Sequence, residues 1–197
     1  SIPLQKAFSN NFKGKKIGII HFDSHSDICD VYDNHPWSHA CTEKRALDEL
    51  IHPENLALVG IRSWEAEEIE YLKSNPVLLI RAWDLHHKGY PDACRLLQER
   101  FADYDALYFT LDIDVLDPSA APGTGTPEAG GPSSREILEM VKFIMRELPV
   151  KAMDLVEVSP PLDTRNQITS WAALKIIYEV FGQSGFAAVG SRLKPKI

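Results

Sequence analysis

Lys16-Ile17-Gly18-Ile19-Ile20-His21-Phe22-Asp23-Ser24-His25-Ser26-Asp27 joins a near-continuous apolar run to a cluster of acids around a histidine. A short run of this kind, rich in β-branched residues, is what a strand covered on both faces requires. Further runs follow at Leu56 to Ile61, Val77 to Ile80, Ala106 to Leu111 and Ala152 to Val158. They alternate with amphipathic stretches at about Ser38 to Leu50, Trp64 to Lys73, Pro91 to Phe101, Ser133 to Glu147 and Thr169 to Phe181. The alternation predicts βα units and an α/β fold on a mostly parallel sheet. Ser133 and Glu136 match a capping box behind Pro132, and Leu138, Val141, Met145 and Leu148 recur at helical spacing as a core-facing stripe. Trp64 and Trp171 fall on predicted helices and read as core.

The 197 residues suit one domain spanning residues 1–197, with no internal repeat or Pro/Ser-rich linker. A net charge of −7 with scattered lysines and arginines argues against a nucleic-acid partner. Three cysteines, Cys29, Cys41 and Cys94, form no paired framework, which points to a reducing cytoplasm. No apolar stretch is long enough for a membrane span, and Ser1-Ile2-Pro3 does not open a signal peptide.

The polar clusters lie where predicted strands end, at residues 23–27, 112–117 and 157–159. In open α/β sheets, ligands bind in the crevice outside the strand C-termini. On an extended backbone Asp23, His25 and Asp27 would point one way, about 7 Å apart in succession, and could hold a divalent metal. A polar loop with a helix cap is the alternative for the same residues. Asp112 and Asp114 repeat the arrangement at a second strand end, where two buried carboxylates repel unless cations neutralise them. Oxygen donors with imidazole favour manganese, magnesium or iron over thiolate-rich zinc. Asp117, before Pro118, reads as a turn former. His21, His35, His52, His86 and His87 read as structural or solvated.

Asp23-Ser24-His25-Ser26-Asp27 resembles the Asp-Ala-His-x-Asp motif of ureohydrolases, the arginase and agmatinase family. Leu111 through Gly131 resembles the family's second signature almost throughout, and Asp154-Leu155-Val156-Glu157-Val158-Ser159-Pro160-Pro161 is similar to a third. The resemblance implies a three-layer arginase/deacetylase-like sandwich and two Mn2+ ions per active site. Asp23 and Asp112 would bridge the ions, His25 and Asp114 would complete one site, and Asp27 would serve the other. Glu157 matches the carboxylate that pairs with the guanidinium, Asp114 would pass a proton to the leaving amine, and His39 falls where a proton-shuttling or substrate-contacting His is placed. Ala40 after His39 departs from the family's Gly.

Ala121-Pro122-Gly123-Thr124-Gly125-Thr126-Pro127-Glu128 is worded more like agmatinases than arginases, and Gly123 and Gly125 would permit close backbone approach. His35-Pro36-Trp37-Ser38 offers poor donors for an α-carboxylate. The implied reaction is urea release from a small guanidino substrate, agmatine to putrescine, by a homo-oligomer (trimer or hexamer). Arginase, guanidinobutyrase or formimidoylglutamase activity, or a catalytically silent ureohydrolase-like subunit, are the alternatives. The remaining family ligand, the His of Gly-Gly-Asp-His-Ser, is expected just before Ser1, with the N-terminal strands of the sheet.

Overall fold

The computed structural model describes residues 1–190, with side chains through residue 183; the last seven residues of the single-domain reading lie outside them. The sheet contains β1 (Ile17–Phe22), β2 (Leu56–Ile61), β3 (Leu78–Arg81), β4 (Ala106–Asp112) and β5 (Val150–Val156) in the order β3-β2-β1-β4-β5, every pair parallel. Parallel neighbours require crossovers. These are made by α2 (Thr42–Glu49), α3 (Ala66–Ser74), α4 (Ala82–Lys88), α5 (Tyr90–Phe101) and α6 (Ser134–Glu147), with α1 (Ile2–Asn11) before the sheet and α7 (Ile168–Gly190) after it.

Strand alternation sorts the core into two layers. Ile20, Phe22, Val59, Phe109 and Leu111 face one way and pack with Leu97 and Phe101 of α5, Ile137, Val141 and Ile144 of α6, and Ile176 of α7. Ile19, Leu56, Leu58, Ala106 and Tyr108 face the other way, against Phe8 of α1 and Ala46 of α2. Each fully buried side chain of this size contributes about 1.5–3 kcal/mol, so packing on both faces outweighs local propensity. The result is a three-layer α/β sandwich.

The chain runs outward from β1 through β2 to β3, then returns to add β4 and β5 on the other side of β1. The order therefore reverses between β1 and β4. Loops leaving adjacent strands part there, which opens a crevice at the strand C-termini. Asp23 directly follows β1 and Asp112 ends β4, so topology alone brings the two acid clusters to one place.

Several expectations need correction. The helix expected over Ser38 to Leu50 is a 3-10 turn at His39–Cys41 followed by the shorter α2. Trp64 precedes α3, half-buried, because Glu65 and Glu68 start that helix with a reciprocal cap. Trp171 lies on α7 but is 63% exposed rather than core. Two helices were not foreseen. In α1 a short apolar face is held by Phe8, whose ring meets Tyr108 edge-on at 5.6 Å. The seven residues of α4 are too few for a readable period.

Gly60 holds the strand ends together. Its φ is +94°, and a Cβ there would come within 2.5 Å of Val115 Cγ2 and 3.0 Å of the Asp23 carbonyl. Gly60→Ala should therefore lower unfolding free energy by on the order of 2–4 kcal/mol, from strain plus overpacking. Gly14, at φ +80° with open space around it, should lose only about 1–2 kcal/mol as Ala. Denaturant unfolding of both variants separates the terms, and equal losses would remove the steric argument.

Candidate metal centre

Past the end of β1 the backbone stays extended beside β2. Asp23 N–H donates to the Val59 carbonyl at 3.0 Å, and Arg62 and Ser63 N–H groups donate to the Ser24 carbonyl at 2.9 and 3.0 Å. This places His25 alongside Ser63. Asp27 then turns back through a left-handed backbone, φ +54°, which replaces the extended convergence expected from the sequence. After β4 the Asp112 carboxylate accepts the Asp114 N–H at 2.9 Å and caps the 3-10 turn Ile113–Val115, which projects Asp114 into the same crevice.

Asp23 is 2% exposed and stands at the centre. Its Oδ1 accepts the His25 backbone N–H at 2.6 Å and lies 3.3 Å from His25 Nδ1, while Oδ2 lies 3.1 Å from His21 Nε2. Asp114 Oδ1 accepts from the Ser24 N–H and hydroxyl at 3.0 and 2.8 Å, and its Oδ2 is 3.2 Å from His25 Nδ1. Two compact donor groups result: His21, Asp23 and Asp27, and Asp23, His25 and Asp114, each with ligand atoms within 4.8 Å of one another. Asp23 belongs to both. Asp112 lines the same cavity beside them.

The charges are in tension. Burial, then the neighbouring Asp23 carboxylate, pushes Asp27 above the usual carboxylate range; burial, then Asp23 and Asp114, does the same to Asp112. Burial also acts to raise Asp23, but contacts with His21 and His25 outweigh it and hold this acid below its ordinary value. Burial opposes the charge of His25, yet the Asp114 and Asp23 carboxylates push its pKa up to about 11. Carboxylates in such mutual repulsion are the donors a divalent cation requires. Cys29, also on the wall, has its thiol pushed up to about 12 by burial and then by Glu68, so it offers no thiolate. Oxygen-rich donors with imidazole fit a hard or borderline divalent ion.

The cavity above these residues measures about 580 Å³. Glu157 is on its wall, exposed, just beyond β5 and left-handed at φ +63°; it is not a buried strand residue. His39 also lines the cavity, exposed at the start of its 3-10 turn with its ring 5.7 Å from Tyr32, and makes no contact with the acid cluster. Asp117 is a turn former, accepting Ser119 N–H at 3.0 Å and Gly130 N–H at 3.0 Å. The Gly123 carbonyl accepts Ser159 N–H at 2.8 Å, tying the glycine loop to the end of β5. A Cβ at Gly123 would lie 2.6 Å from Asp163, whereas Gly125 is not crowded.

Sequence reading passed over three members of the site. His21 is 3% exposed, with Nε2 against Asp23 and Nδ1 3.1 Å from Glu43 Oε1, although neither nitrogen makes an aligned hydrogen bond. Strand parity is the signal that finds it: residue 21 must share a face with residue 23. Glu43 is fully buried and takes a hydrogen bond from Gln5 Nε2 at 2.8 Å. Ser24 had no signal beyond its place in the motif.

Comparison with known proteins gives the family. The arginase family model matches residues 1–182. An agmatinase of Bacillus subtilis is 40% identical over 183 residues, 91% of this chain and 59% of that relative. A guanidinobutyrase of Pseudomonas aeruginosa is 31% identical over 91% of the chain and 56% of its own length. The solved proclavaminate amidino hydrolase of Streptomyces clavuligerus superposes with a TM-score of 0.83 at 30% identity, covering 92% of this chain and 59% of that one. The chain thus spans somewhat more than half the length of its relatives, and the agmatinase-like wording of its motifs has a counterpart in overall similarity. On sequence and on fold together, the chain belongs to the arginase family.

Proposed function

We propose that this chain forms the metal-binding part of a binuclear hydrolase that cleaves a guanidino C–N bond and releases urea, with manganese as the metal and agmatine as the substrate. The observation that carries the reading is the sharing of Asp23 by two donor groups at the sheet's switch point. In this reading Asp23, His25, Asp27, Asp112 and Asp114 would hold the two ions, with Asp23 common to both donor groups. Divalent cations held there would acidify a water and stabilise negative charge during displacement. Glu157 orients the planar guanidinium through paired charge-assisted hydrogen bonds. Asp114 delivers a proton to the leaving amine, and His39, at the open rim, exchanges protons with solvent.

The cavity wall supports the choice of substrate. It includes Glu65, Glu68, Glu128 and Glu157 as well as the aspartates, and no lysine or arginine among the described residues. Its carboxylates outnumber the imidazoles of His21, His25 and His39, so a substrate carboxylate meets a less favourable field there than the ammonium tail of agmatine does. No helix among the described residues is long and apolar enough to cross a membrane, and the cysteines are free. Free cysteines fit a reducing cytoplasm, and the homo-oligomer, trimer or hexamer, rests on the family resemblance alone.

With Mn2+ present, urea release should be faster with agmatine than with arginine or guanidinobutyrate, and Glu157→Gln should cut kcat/KM on the order of 10–100-fold through loss of a charge-assisted pair. No urea from any of the three with metal bound would refute the activity, and a preference for a carboxylate-bearing substrate would refute the specificity. In Mn2+ titrations followed by electron paramagnetic resonance, Asp23→Asn should weaken both sites and Asp27→Asn only one; equal behaviour of the two variants would contradict the sharing.

The sign of the pH dependence follows from Asp27 and Asp112. Their metal-free pKa values are raised, so they retain protons above the usual range, and a cation must displace those protons. Mn2+ binding should therefore release protons and tighten as pH rises. Calorimetry in buffers of different ionisation enthalpy measures the release, and proton uptake would reverse the assignment.

A further inference from the structure

Arg62 sits behind the metal centre and makes no ion pair with a carboxylate. All three of its nitrogens donate to backbone carbonyls. Nη1 reaches Gly60 and Val115, both at 3.1 Å; Nη2 reaches Asp114 at 2.8 Å, Leu116 at 3.2 Å and Glu128 at 2.8 Å; Nε also donates to Glu128, at 3.2 Å. The acceptors come from the end of β2, the turn after β4, and the glycine-rich segment that carries Glu128. Gly131 leaves room for the guanidinium, since a Cβ there would stand 2.7 Å from Nη2.

Arginine suits this niche because its planar fork presents five N–H groups in fixed directions and keeps its charge when half-buried. Carbonyls that converge on one point repel one another, and a cation among them turns repulsion into attraction. Both segments that Arg62 ties end in site groups. The turn carries Asp114, and the glycine-rich segment carries Thr126, whose hydroxyl donates to Asp114 Oδ2 at 3.3 Å, and Glu128, whose carboxylate stands 3.9 Å from His25 Nε2.

We propose that Arg62 is a positioning residue that fixes the Asp114 turn and the Thr126–Glu128 segment as one body over the metal centre, so that Asp114 and Glu128 keep their reach to His25. Its catalytic consequence rests on the hydrolase reading above, but its structural consequence does not. A displacement of about 1 Å in such a body costs on the order of 100-fold in rate.

The experiment uses Arg62→Met, Arg62→Lys and, as a milder change, Arg62→Gln, which keeps a polar side chain without the five-donor fork. Amide hydrogen exchange on the purified chain should quicken in residues 113–117 and 123–131 of Arg62→Met and Arg62→Gln, while amides of β1 and β4 keep wild-type rates. In the Mn2+-loaded protein, kcat should fall about 100-fold with KM changed much less, and Arg62→Lys should recover part of the loss. Exchange that is unchanged in the two segments, or raised throughout the sheet, overturns the inference. So does a lysine variant no better than methionine. If Arg62→Met does not fold, Arg62→Gln decides the matter by the same exchange pattern. Localised exchange changes in the variants, with a wild-type chain that releases no urea, would uphold the clamp and reject the hydrolase, whereas urea release by the wild type with unchanged exchange in the variants would do the reverse.

Discussion

Repulsion among buried carboxylates is the constraint around which this fold is arranged. Two unit charges 4 Å apart interact by about 4 kcal/mol at an effective dielectric near 20, and Asp23, Asp112 and Asp114 are all buried at one crevice. Nothing in a hydrophobic core selects such a gathering. Each element near it serves to keep the acids where they are: β1 and β4 bring them side by side, the 3-10 turn after β4 aims Asp114, and Gly60 lets the Asp23 carbonyl lie against β2. His21 and His25 supply part of the compensating charge from within the chain, and the raised pKa values of Asp27 and Asp112 mark the part left over.

Much of this was legible in the sequence, for physical reasons that differ by residue. Parallel strands buried on both faces read as continuous apolar runs, so β1, β2 and β4 and the acids at their ends could be located from composition alone. Ser133 and Glu136 announced α6 because a capping box is a local hydrogen-bond pattern, and the structure forms it reciprocally. Long-range contacts hid the rest. Phe8 makes α1 a helix by meeting Tyr108, a residue a hundred positions away. Arg62 could not be recognised because all its partners are carbonyls, which every residue possesses. Trp171 misled because aromatic residues at helical spacing usually face a core, and here the ring faces outward.

Backbone conformation shows where local preference was overruled. Asp27 and Glu157 both adopt left-handed φ values, a conformation that costs a non-glycine residue roughly 1–2 kcal/mol. Strain of this size persists only where the surroundings over-determine it, and such places cluster at functional sites. Asp27 must reverse direction to return to Asp23, and Glu157 leaves β5 at the rim of the cavity. Neither turn could be read from residue type, since Asp, though enriched in this region, still enters it only in a minority of cases, and Glu shows no such enrichment.

The cavity wall, acidic and without a lysine or arginine among the described residues, also bears on how a reaction there would end. Cleavage of a guanidino amine yields one neutral molecule, urea, and one cation. The neutral product feels little of the surrounding field and diffuses away, whereas an amine bearing positive charge leaves against the attraction of the same carboxylates that drew its precursor in. Departure of the amine is then the slower exit, and added salt, which screens exposed charges over about 8–10 Å, shortens its stay. In the proposed reaction, the field that favours entry would also oppose the amine's exit.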